Sequence, residues 1–163
     1  RMRVAEPEFA FRMGRDLAPR DTEYTTDEVV AAVATLHPAI EIPDSRYDDF
    51  SFTAADVVAD NTSEAKLVMG PKMVDPTGLD LGLVGLLLEV DGDQVATACG
   101  AATMGHPAEA VAMLANFLGA RGEAIEAGWT IFSGGLTAAV PLNAGSHVTA
   151  TSGHLGTVTV RGV

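Results

Sequence analysis

Between Val4 and Met13 the chain alternates, with Phe9, Phe11 and Met13 set against Glu6 and Glu8. A period of two is the mark of a β-strand, whose successive side chains leave on opposite faces. The spacing predicts a strand over 4–13 with one apolar face and two carboxylates side by side on the other. Its aromatic face needs a second layer to cover it. Its two like charges repel unless a proton or a cation lies between them, or unless both stand in water.

A short second strand is predicted over 39–42, bracketed by Pro38 and Pro43, with Ile40 and Ile42 pointing one way and Glu41 the other. Glu41 is a third oxygen donor of the kind that Mg2+ or Mn2+ takes. The lack of a Cys or His cluster nearby disfavours zinc. Spacing alone leaves a solvated face as the commoner circumstance for such glutamates.

Thr25 and Glu28 form a capping box, and Val29, Val33 and Leu36 recur at helical spacing, which predicts a helix over 26–36. The stretch 44–70, rich in Asp, Ser, Thr and Asn, is expected to be a polar loop with one short helix near 53–59. Segments 83–90 and 94–100 flank Asp91-Gly92-Asp93, a hairpin signal because Asp-Gly accepts the positive φ of a tight turn. Pro107 opens a helix with Val111, Leu114, Ala115 and Leu118 as its buried stripe, and Gly119 and Gly122 offer places to stop it. Strands are expected over 129–132, 147–151 and 157–161. Strands outnumber helices and alternating βαβ units are absent, so the expected fold is a single α+β domain over 1–163, mainly β, a roll with a few packed helices.

Composition narrows the function. A chain of 163 residues with 47% hydrophobic content can bury a real core. Its formal charge of -12 repels phosphate backbones and anionic headgroups, which argues against nucleic acid and membrane partners. The apolar run 79–90 is interrupted by Asp80, Gly82, Gly85 and Glu89, too broken to span a bilayer. The single Cys99 excludes an intrachain disulfide and suits a reducing cytoplasm. The chain opens on Arg1 rather than Met, as if cut from a longer polypeptide.

Other candidates are weaker. Phe132-Ser133-Gly134-Gly135-Leu136-Thr137 offers backbone N–H groups and hydroxyls to cradle a carboxylate, and reads equally well as an ordinary turn. Asp60-Asn61-Thr62-Ser63 reads first as a helix end or turn. His37, His106, His147 and His154 are scattered with no nucleophile pattern, so a catalytic triad is unsupported.

Taken in order, Val4-Ala5-Glu6-Pro7-Glu8-Phe9-Ala10-Phe11, Ala39-Ile40-Glu41-Ile42-Pro43-Asp44-Ser45-Arg46-Tyr47, Ala59-Asp60-Asn61-Thr62-Ser63 and Ser133-Gly134-Gly135-Leu136-Thr137-Ala138-Ala139-Val140-Pro141 resemble the 2-keto-4-pentenoate hydratase family. That family also contains 4-oxalocrotonate decarboxylases and lies in the fumarylacetoacetase-like superfamily. Gly105-His106-Pro107 matches its helix start. The resemblance implies a divalent metal, Mg2+ or Mn2+, held by Glu6, Glu8 and Glu41. It implies substrate contacts from Asn61, Ser63, Ser133, Gly134 and Thr137, a homo-oligomer, and hydration of a 2-hydroxypenta-2,4-dienoate in meta-cleavage aromatic catabolism. The alternatives are decarboxylation of an oxalocrotonate-type diacid and a non-catalytic subunit retaining the fold. A diacid needs a cation for its second carboxylate, for which Arg12, Arg15 and Arg46 are nearest in sequence. The family's acid-base lysine is expected in an N-terminal region this chain lacks. Lys66 and Lys72, the only lysines here, are not safe substitutes.

Overall fold

The computed structural model describes residues 3–163; Arg1 and Met2 lie outside them. The predicted first strand is β1, Val4–Met13. It hydrogen-bonds to β2, Val33–Pro43, which pairs on its other side with β3, Glu64–Met69. The strands β6, Thr130–Phe132, and β7, Val140–Pro141, both add to the free side of β1 and complete a five-stranded sheet. A second sheet of four strands runs in the order β5-β4-β8-β9, from β4, Gly85–Val90, β5, Asp93–Cys99, β8, His147–Ser152, and β9, Gly156–Arg161. Its β8 and β9 lie against β2. Phe9, Phe11, Leu36 and Ile40 from the first sheet and Leu88, Val148 and Val158 from the second share one buried core. This is the mainly β arrangement that the alternating pattern predicts.

The expected helix over 26–36 is a correction. It runs only through α1, Thr26–Val30, behind the predicted Thr25–Glu28 capping box, and Val33 to Leu36 belong to β2. The register explains the misreading. Arg12 faces Thr35 but Met13 faces Val33, so Ala34 is an extra residue, a bulge. Val33 and Leu36, three apart, therefore both turn into the core, and that offset copies the spacing of a helix. A five-residue helix has little stability of its own, and pairing with β1 decides the outcome.

Pro38 does not bracket β2 but lies within it. Its partner Phe9 directs its own N–H and C=O at Ser133, so β1 asks no donor of Pro38. The region 44–70 holds the expected short helix, α2, Ala54–Ala59, capped by Thr53, but its last part is β3 rather than loop. Asp91 and Gly92, both at positive φ, make the predicted hairpin turn. The helix α3, Pro107–Gly119, begins at Pro107 with the His106 ring accepting the Ala108 N–H, and it packs on α1. Among the described residues no helix is long and apolar enough to cross a membrane.

The backbone packs closely at Gly100, just past the end of β5, where a Cβ would stand 1.9 Å from the Leu81 carbonyl oxygen and 3.2 Å from the Phe9 ring. Gly100→Ala is expected to destabilise the fold by about 3 kcal/mol, read as a lowered denaturation midpoint with an unchanged m-value. A midpoint equal to wild type contradicts this packing.

Candidate metal and substrate site

Glu6 sits directly across from Glu41 in the β1–β2 register, and Glu8, two residues on, leaves the same face. The pairing of β1 with β2 thus converts two separate acidic motifs into one cluster. One carboxylate oxygen from each of Glu6, Glu8 and Glu41 lies within 4.8 Å of the others. The face is not solvated at its centre, since Glu8 is 1% exposed, while Glu6 and Glu41 are half-buried.

Three carboxylates this close, partly withdrawn from water, resist ionising together. Burial, a hydrogen bond to Glu41 and the charges of Glu41 and Glu6 push Glu8 up to about 8, although the Gly134 N–H it accepts works the other way. Glu41 is raised by burial and by the charge of Glu64, and the Glu8 hydrogen bond pulls it partly back; Glu6 is raised by burial and by Glu41. The consistent picture has Glu8 holding a proton and sharing it with Glu41.

The 133–137 turn is tied to this cluster. The Gly134 N–H donates to Glu8 Oε2 at 2.7 Å, and Gly134 has φ 88, a left-handed conformation that favours glycine. A Cβ on Gly135 would lie 2.8 Å from Glu6 Oε2, so the second glycine lets the backbone pass against that carboxylate. Ser133 is buried; its Oγ accepts the Phe9 N–H and donates to the Gly134 carbonyl. Thr137 donates its hydroxyl to the Ala138 carbonyl.

A cleft of about 430 Å³ opens beside the cluster. Glu8, Glu41 and Glu64 line it with Thr62, Thr130 and Gly134, and Leu67, Leu114, Trp129, Ile131 and Phe132 make it apolar. Of the five substrate residues inferred from sequence, Gly134 alone is among these. Asn61 and Ser63 flank the lining residue Thr62 instead. Asn61, Thr62 and Ser63 all have positive φ, three consecutive left-handed residues that need outside support. Asp60 supplies it. Its buried carboxylate takes the Ser63 hydroxyl at 2.8 Å, the Arg46 backbone N–H at 3.3 Å and Arg46 Nη1 at 2.8 Å. Arg46 is thereby committed to this clasp.

The sequence does not mark Thr62, Glu64, Leu67 or Leu114 as site residues, and it places Leu114 in the buried stripe of α3 instead of the cleft wall. Leu67 faces Glu41 in the β2–β3 register, and a segment read as loop has no register to place it. Lys66 pairs with Ile42, the neighbour of Glu41 that faces the other way, and Lys72 donates to the His154 carbonyl; neither lines the cleft.

The fumarylacetoacetate (FAA) hydrolase C-terminal family matches residues 2–161, and the chain belongs to that family. It is 46% identical over 122 residues to a 4-oxalocrotonate decarboxylase of Pseudomonas sp. (strain CF600), covering 75% of this chain and 46% of that one. It is 43% identical over 141 residues to a 2-keto-4-pentenoate hydratase of Paraburkholderia xenovorans (strain LB400), covering 86% and 51%. The structure of 4-oxalocrotonate decarboxylase from Pseudomonas putida G7, complexed with magnesium and adipate, superposes with a TM-score of 0.90 at 38% identity, over 98% of this chain and 60% of that one. The chain spans about half the length of the curated relatives it matches.

Between about pH 4.5 and 8 the folded chain keeps a proton on Glu8 that the unfolded chain has released. The raised carboxyl therefore lowers stability as pH rises through that window, and the loss levels off above about 8. Denaturation of metal-free protein from about pH 5 to about pH 9 should show this fall, with a shallower slope in Glu8→Gln. Identical slopes would contradict the protonated Glu8.

Proposed function

We propose that Glu6, Glu8 and Glu41 hold a Mg2+ or Mn2+ ion and that the chain is the catalytic portion of a metal-dependent lyase acting on a 2-hydroxydienoic acid. The observation that carries this reading is the convergence of three carboxylates within 4.8 Å beside a largely apolar cleft. An all-oxygen donor set suits these hard cations, and a dication relieves the repulsion that otherwise forces a proton onto Glu8. Held by these three residues, the ion would supply electrostatic stabilisation for enolate-like charge on such an acid.

The chain's own residues do the rest. The Gly134 N–H orients the Glu8 carboxylate, and the Asp60 clasp holds Thr62 at the cleft. Trp129, Ile131 and Phe132 receive the hydrocarbon part of the acid and keep bulk water from it. Asn61, Ser63, Ser133 and Thr137 serve by shaping these loops, and Gly134 and Thr62 are the groups facing substrate.

The first reading of the reaction is hydration of a 2-hydroxypenta-2,4-dienoate in meta-cleavage aromatic catabolism. The dienol ketonises, its hydroxyl proton being lost as the terminal carbon gains one, and water then adds across the remaining conjugated double bond. Decarboxylation of a 4-oxalocrotonate-type diacid is the second reading, favoured by the 46% identical relative of that name. No residue of this chain is assigned as the general acid or base. We place the protein in the cytoplasm, a compartment that a lone thiol at Cys99 suits, and infer a homo-oligomer, as the family resemblance implies.

Calorimetry should show one Mg2+ bound, with Glu6→Gln and Glu41→Gln each weakening it at least about tenfold, the effect of ~1.4 kcal/mol of lost ion–carboxylate attraction. Mg2+-dependent loss of the dienoate chromophore, abolished by chelator, would support the lyase. Tight metal binding with no turnover would leave the chain a non-catalytic subunit.

A further inference from the structure

Hydration of a conjugated acid adds a proton to carbon, and a side chain has to carry it. Among the described residues that line the cleft, only Glu8, Glu41 and Glu64 bear acid or base side chains, and Glu64 is not one of the three whose oxygens converge. A local device aims it there. Glu41 faces Leu67 and Ile42 faces Lys66 across β2 and β3, but Pro43 faces Glu64, so Ala65 is an extra residue, a bulge. In an unbroken strand Glu64 and Lys66 would leave the same face, the one turned away from Glu41. The bulge brings Glu64 over to the face of Glu41 and Leu67, and it lines the cleft with them.

Glu64 is also uncommitted. It is half-buried, and among the described residues no Lys, Arg or His nitrogen lies within 4.0 Å of its carboxylate. Asn61 Nδ2 stands 3.5 Å from Oε2, a contact long enough to steady the group without tying it down. The other candidate proton carriers are engaged elsewhere. The His37 ring lies against Thr35 Oγ1 at 3.0 Å and the Gly70 carbonyl at 3.4 Å, and the His106 ring accepts the Ala108 N–H. Lys66 leaves the opposite face of β3, and Lys72 donates to the His154 carbonyl.

We propose that Glu64 is the acid–base residue of the cleft, moving the proton at C3 of a 2-oxo acid whose oxo end lies at the Glu6–Glu8–Glu41 cluster. The inference rests on the metal-cleft reading and on hydration as its chemistry. As the oxygen of water bonds to C4, one proton of that water passes to the Glu64 carboxylate, and Glu64 delivers a proton to C3. H and OH are added, and the carboxylate is restored. In the reverse direction Glu64 takes a C3 proton, and the electron pair left behind spreads onto the 2-oxygen. That half of the reaction can be observed on its own.

The test follows 2-oxopentanoate, which has no hydroxyl to lose, in D2O with Mg2+-loaded protein. Loss of its C3 proton resonances reports the transfer, and quenching of Trp129, the chain's single tryptophan and part of the cleft wall, reports binding. Wild type is expected to exchange these protons faster than Mg2+ alone. Glu64→Gln, of the same shape, should slow the protein-dependent exchange at least about hundredfold and bind the acid as wild type does. Glu64→Asp, a carboxylate set back by one methylene, should keep part of the rate. Exchange that survives in Glu64→Gln, or wild type that binds the acid without exchanging it, overturns the role of Glu64 and leaves the metal cleft standing. Loss of binding in Glu64→Gln also overturns it, making Glu64 a binding group. Failure of wild type to bind the acid in a Mg2+-dependent way overturns the metal-cleft reading, and this inference with it.

Discussion

The placement of Glu6 opposite Glu41 is the contact around which the rest of the molecule is arranged. Cross-strand neighbours of like charge destabilise a sheet, and here a third carboxylate joins them with almost no exposure. Such a constellation persists in a folded chain only because its surroundings over-determine it. The Phe9 and Ile40 side chains anchor the opposite face of both strands in the core, the Gly134 N–H fixes Glu8, and Gly135 leaves room for Glu6. In the metal-free chain a proton on Glu8 relieves part of the repulsion; a dication in its place would relieve more of it.

Much of this was legible in the sequence because β-strand periodicity is local. The alternation from Val4 to Met13 fixed that strand and sorted its side chains by face, and the Asp-Gly hairpin and the Pro107 helix start were equally plain. What stayed hidden was pairing. Nothing local says that Glu6 meets Glu41, which ordered resemblance rather than spacing brought forward. Segment 64–69 is too short and too mixed to read as a strand, and with it the position of Leu67 was lost. The Ala34 bulge imitated a helix for the same reason, because the evidence against the helix lies in β1 rather than in 26–36.

The loop motifs divide differently. The resemblance drew attention to Asn61, Ser63, Ser133 and Thr137 as polar groups for substrate, and the hydroxyls of all three Ser and Thr residues donate within the protein. They fasten a left-handed turn and a glycine turn, and Thr62 and Gly134 line the cleft beside them. A motif can thus mark the right part of the fold while its hydroxyls are engaged within their own loops.

The Ala34 bulge has a consequence for how such a chain can change over generations. It lies past Arg12, so every residue from Glu6 to Arg12 keeps an uninterrupted two-residue rhythm with its partners on β2. One residue inserted or deleted between Glu6 and Glu8 would send the two carboxylates of β1 to opposite faces. Insertions in that strand are therefore tolerable only in pairs, whereas the stretch between Asp44 and Asp60 can drift in length as long as the Arg46–Asp60 clasp closes again.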